Sequence, residues 1–187
     1  MENTLIKSVM AGIAISLGCC LYLLAPNPVV GAILFSCGLL CVRIYQLNLF
    51  TGKMQYMLTT KYSYRYYILV FLGNLIGTAL IGGLTFKLTQ DAAAPLAMAK
   101  ATQPFLIAFI KGVGCGMLMS LATYKDSPLW MCLLCVPGFI LAGFNHCIAD
   151  AYYAIAGWNI GLPFIATVLG NIVGGAILLN NYWNVAK

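Results

Sequence analysis

The chain has 187 residues, of which 62% are hydrophobic and only 7% charged, with a mean hydropathy of +0.92. A soluble domain carries about 25% charged residues, so a water-exposed globule is excluded: too few polar side chains exist to cover its surface. Ten Lys and Arg against four Asp and Glu leave a net charge of +6. No basic cluster interleaved with aromatics accompanies that excess, so no nucleic-acid partner is expected, and it reads instead as the loop bias of a membrane protein. The length fits one bundle, a single transmembrane domain over 1–187, rather than two domains.

Apolar stretches of about 20 residues predict six membrane-spanning helices, near 8–25, 29–50, 66–86, 104–123, 129–156 and 160–180. The first, with Lys7 ahead of it, weakly resembles a signal peptide, but no small-residue cleavage site follows. Pro26, Pro28, Pro95, Pro104, Pro128 and Pro163 are read as lying at span ends, where turn chemistry belongs. The second and fifth spans are long and interrupted, around Asn48-Leu49-Phe50-Thr51-Gly52 and Gly143-Phe144-Asn145-His146.

Six spans put both termini on one side. That side collects Lys7, Lys53, Lys61, Arg65, Lys125 and Lys187, against Lys87 and Lys100 on the other. The bias predicts cytoplasmic termini; the expected setting is a bacterial inner membrane. Arg43 and Lys111 are left inside apolar spans, Arg43 to pair with carbonyls or to sit at a subunit contact.

The eight cysteines all lie in or beside apolar stretches. Cys132 and Cys135 have the spacing of a redox or zinc pair, but both chemistries need thiolates, which hydrocarbon disfavours. They read as small packing residues, and neither a metal nor a cofactor is expected.

The two halves look alike. Gly73-Asn74-Leu75-Ile76-Gly77 recurs as Gly170-Asn171-Ile172-Val173-Gly174, 97 residues on. Ala11-Gly12 matches Lys111-Gly112 at an offset of 100, and Thr51 and His146 mark interruptions 95 apart. Similar offsets predict a three-plus-three repeat, approximately 1–90 and 98–187. An odd number of spans per half requires the second copy to be inverted. Interrupted helices in matching positions point to a substrate site near the midplane, where N–H groups and hydroxyls suit small anions.

Polar residues at membrane depth are functional candidates by default. His146 is the one histidine of the chain and sits at a break opposite Thr51. Lys111 lies about seven residues inside its span, with no acidic partner expected in any apolar core. An unpaired cation there raises the local potential and attracts anions.

On these motifs the chain resembles the formate/nitrite transporter family. The pieces are Leu49-Phe50-Thr51-Gly52, Phe71 to Gly77, Lys111-Gly112-Val113-Gly114-Cys115, Gly143 to Asp150 and Leu169 to Gly175, in the family's order. The resemblance implies an all-α membrane protein: six helices in an aquaporin-like bundle, assembled as a homopentamer with one pore per protomer. It implies passage of small monovalent anions of weak acids, such as formate, nitrite, lactate, acetate or hydrosulfide. The family's central histidine falls on His146, its loop threonine on Thr51, its membrane lysine on Lys111 and its acidic or Asn position on Asn145. Its apolar constrictions fall on Phe35, Leu39, Leu49, Phe50 and Phe139, with Phe144 beside the histidine motif. Departures are Asn48, where an acidic residue is usual, and Gly116, where Asn is usual.

The energetics favour passage as the neutral acid. Moving a bare carboxylate-sized ion into low dielectric costs on the order of 20 kcal/mol in the idealised limit. Protonating a carboxylate about three pH units above its pKa costs only about 4 kcal/mol. Protons are therefore expected to accompany the anion, with transient protonation at His146. The alternatives are an aquaporin-like channel for a neutral solute (urea, ammonia or water), or a membrane enzyme or electron carrier. The spans hold neither paired carboxylates nor a metal-ligand cluster, and one histidine cannot supply two haem ligands, so an enzyme is not expected.

Overall fold

A computed structural model describes residues 2–59 and 62–178, and every regular element among them is helical. In chain order they are α1 (Glu2–Leu24), α2 (Pro28–Ile44), α3 (Phe50–Lys53) followed by a 3-10 turn, α4 (Tyr64–Ala101), α5 (Phe105–Thr123), α6 (Met131–Leu141), α7 (Cys147–Ala156) and α8 (Pro163–Ile172). A π-helical segment, Val173–Leu178, continues α8. Three helices, Asn3–Leu24, Tyr64–Ala101 and Phe105–Thr123, are long and apolar enough to cross a membrane. Lys61, Lys187 and the last residues of the sixth predicted span lie outside the described residues.

The second and fifth predicted spans each resolve into two helices with an extended break between them. Asn27 caps α2, its Oδ1 accepting from the Val29 and Val30 amides at 3.1 and 3.0 Å, with Pro28 supplying the first helical residue. The same closure then stops α2 and α6. Gln46 and Gly143 adopt left-handed conformations, with φ of +50° and +69°. Beyond them, Leu47 N donates to Val42 O and Phe144 N to Phe139 O, both at 2.9 Å. This is the six-to-one bond of a glycine-type C-cap. Every pair in this closure is 97 residues apart.

α4 corrects the sequence reading. It does not end near 86, and Pro95 lies inside it. The helix runs 38 residues, about 57 Å at 1.5 Å per residue. The polar run Lys87 to Asp91 looks like the start of a loop, and an interior proline costs about 3 kcal/mol. Tertiary packing offsets that cost. Ala93 and Ala97 are buried, and a Cβ at Gly157 would lie 2.8 Å from both the Ala93 carbonyl and the Ala97 methyl. Tyr152 Oη on α7 meets the Thr85 and Thr89 hydroxyls at 2.8 and 3.3 Å.

α1 packs on α4, and α5 on α8, at backbone-contact distance. Gly12 lies against the Asn74 carbonyl and Gly116 against that of Asn171, where a Cβ would collide. These contacts correct the offset of 100 between α1 and α5. Gly12 corresponds to Gly116, 104 residues on, not to Gly112. The two registers differ by one helical turn, so small residues fall on the same face in either, and contacts alone choose between them.

Candidate functional site

Two asparagines hold the breaks. Asn74, buried on α4, accepts from Phe50 N at 2.8 Å and donates to Asn48 O at 2.9 Å and Ser8 O at 2.7 Å. Asn171, buried on α8, accepts from Cys147 N at 2.9 Å and donates to Asn145 O at 2.9 Å and Gly112 O at 2.8 Å. Backbone that leaves a helix inside an apolar bundle must find partners within the protein, and one amide supplies two such bonds on each side, with a third tying the break to α1 or α5. Asn48 N also reaches Lys7 O, and Asn145 N reaches Lys111 O, both at 3.3 Å. Ser8 with Gly112, and Lys7 with Lys111, repeat the offset of 104.

At the second break His146 caps α7. Its Nδ1 accepts the Ala149 N–H at 3.1 Å, and its Nε2 lies 2.9 Å from Thr51 Oγ1. A backbone amide can only donate, so Nδ1 carries no proton and Nε2–H points at Thr51. Phe139 stacks on the imidazole, with centroids 5.6 Å apart and planes at 21°, and Phe35 meets Phe139 edge-on at 5.9 Å. Phe35, Leu39, Leu49, Thr51, Phe139 and His146 are all buried. Phe50 is buried too, but its ring packs on Phe71 at 4.8 Å.

A cavity lies on either side of this plug. One, about 410 Å³ and called inner after the side on which the sequence predicts the termini, opens beside the end of α2 and is lined by Arg43, Leu49, Lys53 and Lys125 among others. Arg43 is not free to serve it as a mobile charge, because its guanidinium donates to the carbonyls of Ala122 and, at 2.6 Å, Ser127. The outer cavity, about 180 Å³, is lined by His146, Asn145, Lys111, Phe144, Lys100 and Asp150 among others. Phe144 is half-buried, and Gly114 leaves space for its ring.

The outer cavity contains what the sequence reading missed. Asp150 is an acidic residue inside an apolar core, contrary to the expectation that none existed. Its Oδ1 lies 2.8 Å from Lys100 Nζ. The sequence places Lys100 among the loop charges. It turns inward from the end of α4 and also donates to Asn145 Oδ1 at 3.0 Å. Asn145 in turn donates to Gln103 Oε1 at 3.1 Å and Thr167 Oγ1 at 3.2 Å. The available signal was spacing: Asp150 follows His146 by four residues and so shares its helical face.

A family model described as Formate/nitrite transporter matches residues 1–183. The chain belongs to the formate/nitrite transporter family. Among curated relatives it is similar to "Nitrite transporter NirC" of Escherichia coli, 28% identical over 221 residues, covering 95% of this chain and 81% of the relative. It is also similar to "Formate channel FocA" of Haemophilus influenzae, 25% identical over 201 residues, covering 80% and 71%. Two solved structures share the fold. An "FNT family ion channel" superposes with a TM-score of 0.84 at 23% identity, covering 100% of this chain and 90% of that one. A "Pentameric formate channel with formate bound" gives 0.78 at 20% identity, covering 99% and 96%. The family is one of membrane transporters and channels, and the apolar helices of this member suit that setting.

Proposed function

We propose that this family member passes small monovalent anions of weak acids, formate and nitrite foremost, across the membrane through a pore whose centre is the Thr51–His146 contact. The carrying observation is the placement of that contact, 2.9 Å across, between two cavities that each carry charged side chains and beside the Phe35–Phe139 pair. Phe35, Leu39, Leu49, Phe50, Phe139 and Phe144 form the apolar constrictions in this reading. The bundle is a six-span inverted repeat over about 1–90 and 98–187, with cytoplasmic termini in a bacterial inner membrane. Five copies assemble, each with its own pore. The pentameric formate channel that shares the fold supports that assembly.

In this reading Lys111 draws the anion into the outer cavity, and the apolar plug admits it only as the neutral acid. The idealised cost of dehydrating the bare ion, on the order of 20 kcal/mol, exceeds the cost of protonating it several-fold. His146 offers Nε2–H to the passing oxygen. Because Nδ1 holds the Ala149 amide, the ring gains a second proton only by releasing the cap of α7. Transient protonation of His146 and loosening of that helix end are therefore one event. The protein moves its solute without altering it.

Proteoliposome flux of formate, nitrite, lactate and hydrosulfide tests the proposal. Saturable uptake of one or more of these, with nitrate passing poorly, is expected. Flux of urea or water with none of the anions would replace the proposal with a neutral-solute channel.

A further inference from the structure

The outer cavity holds three charged side chains among its described lining residues: Lys100, Lys111 and Asp150. Two cations and one anion leave a formal charge of +1. Asp150 is 6% exposed and Lys100 16%, so water screens this set poorly. The pair is anchored on both sides. Asp150 lies on α7, one turn past His146, and Lys100 lies one residue before the end of α4. Asn145 Oδ1 holds the same ammonium at 3.0 Å. Within the described residues Asp150 Oδ1 has no hydrogen-bonding neighbour other than the Lys100 ammonium. Lys111 Nζ stands near Gly143, 3.9 Å from where a Cβ would be.

Two features point to a ligand. An ion pair this far from water gives little net stability over an apolar pair, so stability alone does not account for it. The pair also lines a cavity of about 180 Å³. At about 30 Å³ per water, that space holds a small carboxylate and a few waters but not a drug-sized molecule.

We propose that Lys100, Asp150 and Lys111 form a charge-balanced seat whose surplus of one positive charge admits one monovalent carboxylate-sized anion and rejects dianions. Asp150 is the resident counter-anion. It turns the Lys100 ammonium toward the cavity and cancels half of the positive charge, so that an arriving anion neutralises the seat without being trapped in it. The seat deepens the transport reading and rests on it for its role in flux, but binding can be measured apart from transport.

The test uses the full-length protein with Asp150→Asn, Lys100→Met and the double variant. Asn is isosteric with Asp and keeps an acceptor for Lys100. Asp150→Asn raises the surplus to +2. The expected result is a half-saturating formate concentration lowered about tenfold or more, a lower maximal rate, and new inhibition by malonate dianion. Lys100→Met removes the surplus and raises half-saturation by a similar factor. The double variant restores +1 through Lys111 alone and returns both readouts toward the wild type, which a purely structural ion pair would not do. Thermal-shift titrations of the detergent-solubilised proteins with formate and malonate read the same order without flux.

Unchanged formate and malonate responses in Asp150→Asn overturn the seat even if Lys100→Met fails to assemble. A double variant no better than its worse parent also overturns it. A wild type that binds formate in this order but transports no anion would keep the seat and remove the transport reading. A wild type that transports, with variants indifferent to charge, would do the reverse.

Discussion

Thr51 Oγ1 and His146 Nε2 meet at 2.9 Å, yet they do not occupy equivalent positions in the two halves. The bonds of Asn74 and Asn171 align Asn48 with Asn145 and Phe50 with Cys147, at an offset of 97. At that offset His146 corresponds to Leu49, and both are N-cap residues of the short helices. Thr51 corresponds to Ile148. The two breaks correspond, as their spacing of 95 residues suggests, but the aligned offset is 97. The contact is asymmetric: one half supplies an imidazole where the other has an apolar side chain, and the threonine reaches across to it.

Thr51→Val removes the acceptor of Nε2–H and leaves a buried donor without a partner, at a cost of about 1–3 kcal/mol. His146→Asn retains an oxygen able to cap α7 but has neither the reach to Thr51 nor a titrating ring. Both variants are expected to assemble. His146→Asn is expected to change how formate uptake depends on pH, or to let ions leak, because it removes the ring that would carry the transient proton. Superimposable profiles for wild type and variant would leave His146 as a structural cap.

The two asparagines are predicted to be among the least replaceable side chains. Asn74→Leu leaves Phe50 N and Asn48 O unpaired and cuts the tie to Ser8 O on α1, and Asn171→Leu leaves Cys147 N and Asn145 O unpaired and cuts the tie to Gly112 O on α5. At about 1–3 kcal/mol per orphaned group, either change should cost about 2–6 kcal/mol, a large part of the stability of a typical domain. Yield and thermal midpoint in detergent check this. A midpoint within a degree or two of wild type would mean the breaks are held by something else.

Gln46 and Gly143 close matching helix ends, but only one of them is glycine. A left-handed non-glycine residue costs about 1–2 kcal/mol. Gln46→Gly is expected to raise the thermal midpoint, less the larger chain entropy of glycine, whereas Gly143→Ala is expected to lower it. Opposite signs in a paired unfolding experiment are the expected outcome. A drop in both would show that the Gln46 side chain contributes more than its backbone costs.

Lys111 and Arg43 are the two cations that the sequence leaves inside apolar spans, and their surroundings assign them different work. Arg43 is spent on the carbonyls of Ala122 and Ser127, so Arg43→Gln should lower stability more than half-saturation. Lys111 lines the outer cavity. A unit charge about 6 Å away at an effective dielectric near 20 is worth about 3 kcal/mol. Lys111→Ala should therefore weaken formate flux by at least about tenfold with assembly intact. Unchanged flux in Lys111→Ala with lost flux in Arg43→Gln would exchange their roles.

The breaks, the repeated Gly-Asn segments and the residues of the plug were legible because each leaves a local mark: a polar run inside apolar sequence, a small residue at a close approach, a lone histidine. Three things were not. The length of α4 depends on Ala93 and Ala97 packing against the turn at Gly157, which no local pattern around Pro95 reveals. The register of α1 against α5 was ambiguous by one turn because small residues recur on the same helical face. Lys100 and Asp150 are 50 positions apart in sequence, and each taken alone looks like a loop charge or part of a motif. Only the fold makes them a pair.

The central claim is that the anion crosses the plug with a proton. A pH-sensitive dye trapped in proteoliposomes tests it when formate is added outside. The account predicts lumen acidification faster than in empty liposomes, one proton for each formate taken up, and insensitive to an imposed membrane potential. Formate uptake that follows the potential and leaves the lumen pH unchanged would contradict it.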